Sequence, residues 1–347
     1  MATTPRFSIE GILTNVRGDN HNAQFSVRRN IRVFYITVSP TNFINSPNMT
    51  KKYMSYLEVL KSREEVIGVI YDTDVYEWVM ASFEPLLLEL APPPECDPKD
   101  IRITLEKHIF PEFFVFELDI VDEKLCPRRV AAEKSSVRPS FIRFDDDFLD
   151  DLETWSAFYD PAGITLGFEN PEDAIFEPPN KVLIDNCRTE CFFKPCNSGV
   201  QTKCELETYK MIHAAGLDSQ FNLCRICGVV FDENEFILGV LLTYIDNRGC
   251  PLSTKIAPGE PDNPPHEVRQ RWMEQIEAAV PGLYGAGMVW GDVKAESVLI
   301  DQDNNAWVTD FGGGYTRGWV DKDVAETMEG DRMGMARLRE FIFPAAS

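Results

Sequence analysis

Two aspartates near the end of the chain, Asp292 and Asp310, stand eighteen residues apart and each closes or precedes a short apolar run. One carboxylate that orients or deprotonates an acceptor, and a second that holds a metal against phosphate charge, is the minimum a phosphoryl-transfer site requires. Val298-Leu299-Ile300, then Asp301-Gln302-Asp303-Asn304-Asn305, then Ala306-Trp307-Val308-Thr309 reads as strand, turn, strand. Such a hairpin would carry both acids to one edge of a cleft.

Other elements must frame them. Lys181–Asp185 and Glu190–Pro195 read as paired strands, and Thr202–Ala215 as a helix that presents Glu205 and Glu207. Phe236–Ile245 is apolar enough for a central strand. A helix over Pro265–Tyr284 places Val268, Trp272, Ile276, Ala279 and Leu283 on one stripe, behind Pro264-Pro265. A last helix is expected around Asp331–Phe341.

Trp290-Gly291-Asp292-Val293-Lys294-Ala295-Glu296-Ser297-Val298-Leu299-Ile300-Asp301, followed by Asp310-Phe311-Gly312-Gly313-Gly314-Tyr315-Thr316, resembles the catalytic and metal-binding loops of the protein-kinase-like superfamily. More narrowly it is similar to kinase-like proteins of filamentous fungi. The resemblance implies Asp292 as catalytic base, Lys294 as stabiliser of the transferred group, and Asp310 with Ser297 as Mg²⁺ ligands. It implies Lys194 as the phosphate anchor, ion-paired to Glu205 rather than Glu207, and an adenine ring against the backbone of Leu242, Thr243 and Tyr244.

The pattern also departs from that family. The place of a Gly-rich loop, Asp173–Asn180, contains Pro178-Pro179, which lack the N–H donors that cradle phosphates. The second metal ligand, ordinarily Asn, is Ser297, a shorter and weaker arm. Trp290-Gly291 replaces the His-Arg that precedes the catalytic Asp, so no arginine waits for an activation-loop phosphate. Only 35 residues follow Gly312, too few for a peptide-docking platform, so a small or non-peptide acceptor is expected.

The chain has 347 residues, 44% of them hydrophobic, and a formal charge of −22. That charge argues against general adhesion to nucleic acid or anionic membrane. Residues 1–63 nevertheless hold nine Lys and Arg against three acids, +6, leaving −28 on the remainder. This arm, with Arg28, Arg29, Arg32, Lys51 and Lys52, reads either as a contact for an anionic partner such as tRNA or as a complement to the acidic body. No apolar run reaches membrane-spanning length and the first residues do not read as a leader, so a cytoplasmic protein is expected. The nine cysteines include Cys224 and Cys227 at half-zinc-site spacing without a second pair, and read as reduced, packed thiols. The acids of Asp145–Glu153 read as the solvated face of an amphipathic helix backed by Phe148, Leu152, Trp155 and Tyr159, not as a cation site.

Upstream, β-rich runs extend from Phe7 to a Ser-Pro turn near Thr41. They are followed by a helix over 51–63, a buried strand over Val66–Tyr71, a helical stretch Asp74–Leu90 broken at Pro85, a short helix near Leu105, a strand Phe113–Leu118, and a polar connector Pro127–Ser136. The expected architecture is α+β: an N-terminal α/β extension, 1–160, and a minimal bilobal kinase-like domain, 161–347, whose lobes divide near residue 243. Three functions fit. The first is an ATP- and Mg²⁺-dependent phosphotransferase. The second, implied by the resemblance to fungal kinase-like proteins, is a kinase fold turned to tRNA-dependent synthesis of arginine-containing cyclodipeptides in secondary metabolism, needing no ATP, with Asp292 or Glu296 acting on the amine. The third is a pseudokinase that binds without turnover, against which the retention of four ionisable groups speaks.

Overall fold

The computed structural model describes residues 7–14, 21–62, 66–92, 102–131, 142–168, 181–196, 198–246, 251–257 and 263–344. The Asp173–Asn180 stretch lies outside these residues, as does the second half, 132–136, of the connector expected up to Ser136. The fold is α+β, in two compact units that exchange segments: residues 142–163 cluster with the second unit and 164–168 with the first, so the division is not a single cut at residue 160.

In the first unit β1 (Ser8–Thr14), β2 (Ala23–Arg29) and β3 (Arg32–Ile44) form an antiparallel meander. The chain then passes through α1 (Pro47–Ser62), a hairpin of β4 (Val66–Ile67) and β5 (Ile70–Tyr71), α2 (Asp72–Met80), α3 (Glu84–Leu90) and α4 (Leu105–Ile109). It returns as β6 (Glu112–Val121), parallel to β3, and β7 (Lys124–Val130), giving sheet order β1-β2-β3-β6-β7. Alternate residues of the inner strands, Phe34, Ile36 and Val38 with Phe114, Phe116 and Leu118, are buried against Tyr53, Leu57, Val79 and Phe83 of the helical layer.

Three expectations are corrected here. β3 does not stop at the Ser-Pro turn; it absorbs Pro40 as a register shift between Val38 and Phe43 and continues to Ile44. Val66–Tyr71 is not a buried strand: Gly68, at φ +65°, folds it into a tight hairpin that leaves Val66, Ile67 and Tyr71 exposed. Residues 127–130 belong to β7 and pair with β6 instead of forming a connector.

The second unit begins with α5 (Asp146–Glu153), capped by the Asp145 carboxylate accepting from the Phe148 N–H, and β8 (Phe158–Tyr159). Leu152 is buried in the core, with Phe148 and Trp155 packed against it. After β9 (Thr165–Gly167), which bonds within the first unit, come the hairpin β10 (Lys181–Ile184) and β11 (Thr189–Pro195), then α6 (Gly199–Ala214), then the hairpin β12 (Ile226–Phe231) and β13 (Ile237–Thr243). These strands lie in the order β8-β12-β13-β11-β10, with β13 central and buried almost throughout. The remaining elements are α7 (Leu252–Lys255), α8 (His266–Gly285), the hairpin β14 (Val298–Ile300) and β15 (Ala306–Val308), and α9 (Met328–Ile342).

The α8 stripe holds as expected, with Trp272, Ile276, Ala279 and Leu283 buried and Val268 at its margin. Its polar residues clamp the β14–β15 turn. Trp272 Nε1 donates to the Asn304 carbonyl at 3.0 Å, and Gln275 accepts from the Ala306 N–H at 2.8 Å. The acids of that turn are structural: Asp301 accepts from the N–H groups of Asp303 and Asn305 and from Trp307 Nε1. Burial works upward on the Asp301 carboxyl, but these donors outweigh it and hold its pKa below the usual value. Among the described residues no helix is long and apolar enough to cross a membrane.

Candidate functional site

Lys194 leaves the end of β11, opposite Val240 of β13, and residues 196–198 join it to α6. With Ser198 as N-cap of that helix, Glu205 falls on the inward face and is 5% exposed, whereas Glu207 faces solvent. Lys194 Nζ therefore donates to Glu205 Oε1 at 2.8 Å. It also donates to Asp310 Oδ1 at 2.8 Å, from a residue far along the chain. Burial draws the lysine pKa down, but the two carboxylates outweigh it and keep the ammonium charged; burial likewise pushes the Glu205 carboxyl up against the pull of Lys194.

Asp310 arrives there because the β14–β15 hairpin is closed on itself and tied to the segment that leads into β12. The Cys224 N–H donates to the Val308 carbonyl at 2.9 Å, and the Thr309 N–H to the Ser297 carbonyl at 3.0 Å. Phe311 then turns into the core, edge-on to Tyr209 of α6 at 5.5 Å between ring centroids. The same hairpin carries the other acid. Asp292, 5% exposed, pairs with Lys294 and accepts from Thr316 Oγ1 at 3.0 Å, while Lys294 Nζ reaches Thr316 Oγ1 at 3.2 Å and Asp310 Oδ2 at 4.0 Å. Lys194, Glu205, Asp292, Lys294 and Asp310 thus line one cleft of about 350 Å³, whose further wall is Gly312–Thr316.

The backbone around Asp292 is held from behind. Asp331 of α9 is 2% exposed, and its two oxygens accept from the N–H groups of Trp290 at 2.7 Å and Gly291 at 2.8 Å. Burial pushes the Asp331 carboxyl up, and those two donors oppose the shift. Gly291 has φ +90°, and a Cβ there would lie 3.2 Å from the Cα of Gly313. Residue 291 is thus a glycine where two loops touch. Trp290 is buried and donates from Nε1 to the Thr309 carbonyl at 2.9 Å.

Five expected residues are not brought to the cleft. Glu296 points to solvent. Ser297 is 1% exposed and does not line the cleft; its Oγ has no hydrogen-bond partner among the described residues. Leu242, Thr243 and Tyr244 sit at the far end of β13, beyond Val240, which lies opposite Lys194. The Thr243 N–H is used by the Arg225 carbonyl at 2.8 Å, and the Tyr244 ring lies 4.7 Å from Lys181 Nζ. Sequence reasoning in turn missed Asp331, Thr316 and Gly313. Glycines at 330 and 334 inside an otherwise ordinary helix were the available signal of close packing at α9.

The basic arm is largely consumed within the first unit. Arg28 and Arg29 are each 5% exposed, the first paired to Glu10 and the second donating to the Ala91 carbonyl, and Arg32 pairs with Glu112. Lys51 and Lys52 are exposed, the latter over the rings of Tyr56 and Trp78. Cys224 is buried, which pushes its thiol up to about 12, and among the described residues no group of three or more His, Cys, Asp or Glu is placed to hold a metal. Comparison of the sequence with protein-family models and with curated proteins finds no match.

Proposed function

We propose that this chain is a kinase-like transferase, an ATP-dependent phosphotransferase acting on a small or non-peptide acceptor. The observation that carries the reading is Lys194 held between Glu205 and Asp310, facing the Asp292–Lys294–Thr316 group across one cleft. An anchored ammonium, a carboxylate fixed by a hydroxyl, and a second ammonium beside it are the parts that in-line transfer between oxygens uses.

In this reading Lys194 binds the phosphate chain. Asp292 accepts the proton of the acceptor hydroxyl as the new P–O bond forms and the nucleoside diphosphate leaves. The Asp292 carboxylate can do so while bonded to Lys294 and Thr316, because its two oxygens offer about four acceptor directions. Those bonds fix its orientation, and the Lys294 ammonium offsets charge on the transferred group. Asp310, 40% exposed at the cleft, is the residue that would hold Mg²⁺, which neutralises phosphate charge. A single protein carboxylate is an adequate donor set where phosphates complete the shell.

Calorimetry with Mg²⁺·ATP tests the reading. Binding is expected, weakened at least about tenfold by Lys194→Met; absence of heat in the parent protein refutes it. With an acceptor in hand, Asp292→Asn should lower the transfer rate by about 10²–10⁴.

A second reading, ATP-independent aminoacyl transfer from charged tRNA, is favoured by Ser297 and Leu242–Tyr244 standing away from the cleft, since a metal pair and an adenine site are then not needed. The burial of Arg28 and Arg29 counts against the tRNA contact expected of them. Cyclodipeptide formation from arginyl-tRNA in ATP-free buffer separates the two.

A further inference from the structure

Asp310 lies between two cations. Its Oδ1 takes the Lys194 ammonium at 2.8 Å and its Oδ2 stands 4.0 Å from the Lys294 ammonium. Neither lysine depends on it for neutralisation. Lys194 keeps Glu205 at 2.8 Å, and Lys294 keeps Asp292 and the Thr316 hydroxyl. Its side chain is also the most exposed of the group, 40% against 7% for the side chain of Glu205 and 6% for that of Asp292. It is therefore the one anion that can swing away without leaving a buried charge unpaired.

We propose that Asp310 is a displaceable plug in an anion site formed by Lys194 and Lys294, and that the ligand which replaces it is an oligophosphate. The inference rests on the phosphotransferase reading and adds how its cleft is kept closed. Two ammonium groups with one interposed carboxylate offer a phosphate chain two point charges at once, provided the carboxylate yields. Before it yields, its charge repels the incoming phosphates at close range, where Coulomb terms are least screened.

The consequence runs against the usual effect of deleting a site residue. Removing the Asp310 carboxylate should strengthen binding of a phosphate chain when no metal is present. The measurement is calorimetry in EDTA with two probes, inorganic tripolyphosphate and ADP, on the parent and on Asp310→Asn. Asp310→Gly is the companion variant, because residue 310 has φ +63°, a conformation glycine adopts without strain. About tenfold tighter binding of tripolyphosphate by either variant, lost again when Lys294→Met is added, is the expected result. Tighter binding of ADP but not tripolyphosphate would still support the plug and identify the nucleotide as its natural displacer.

Binding by the parent that is unchanged or weakened in both variants overturns the plug alone. No binding of either probe, or of Mg²⁺·ATP, by any of the proteins overturns the phosphotransferase reading with it.

Discussion

Replacing Asp331 by alanine removes both acceptors that hold the backbone leading into Asp292. The Trp290 and Gly291 N–H groups are buried and each gives its one hydrogen bond to this side chain. A buried donor left without a partner costs about 1–3 kcal/mol, so two cost roughly 2–6. Part of this is returned, because the Asp331 carboxylate is itself disfavoured by burial, as its raised pKa records. A net loss of about 2–4 kcal/mol remains. Urea unfolding, with an m-value of about 1–3 kcal/mol per molar, should show it as a midpoint lowered by about 1–2 M in the transition of the second unit. Two probes are needed because two units need not unfold together. Asp331→Asn keeps one oxygen acceptor and should recover about half of the loss. An alanine variant within about 0.5 kcal/mol of the parent would refute the claim that this carboxylate holds the loop.

Two further perturbations test the packing behind the site and the pH response. Gly334→Ala in α9 would ordinarily stabilise a helix by up to about 1 kcal/mol, but here the new Cβ would lie 2.6 Å from Val293 Cβ. A melting temperature lowered by several degrees is therefore expected, and a rise would show that α9 does not press on the segment around Val293. In the first unit, burial and the Arg28 charge push His108 down to about 3 from its ordinary 6.5. A base with a depressed folded pKa contributes stability above 6.5 that is lost as pH falls from there toward 3, up to about 2 kcal/mol by pH 5. His108→Gln should flatten that acid limb, and superimposed parent and variant profiles between pH 7 and pH 5 would count against it.

The cleft was legible where chemistry and periodicity coincided. Val298–Ile300 and Ala306–Val308, separated by a turn of Asp and Asn, specify a hairpin, and that hairpin delivers Asp292 and Asp310 together. Periodicity alone left Glu205 and Glu207 open, because both lie near the middle of α6; which one turns inward depends on how that helix docks. Asp331 was illegible for a related reason. An acid in the first turn of a helix reads as solvated and favourable to the dipole, and only the docking of α9 makes it an acceptor for another loop. Tyr244 stands outside the cleft lining, since an apolar strand announces its burial but not which of its residues border a cavity. The hairpin at Val66–Tyr71 shows the same limit, since a run of β-branched residues looks alike whether buried or folded back on itself at a glycine.

The two bonds of the Lys194 ammonium differ greatly in the length of chain they close. Its contact with Glu205 spans 11 residues and that with Asp310 spans 116. A loop that much longer costs about 2 kcal/mol more in chain entropy, at about 0.6 for each doubling. The difference must come from what is packed along the way, chiefly the α8 stripe and its grip on the β14–β15 turn. Lesions at Trp272 or Gln275, which do not line the cleft, should consequently detach the acid before they disturb the lysine and its helical neighbour.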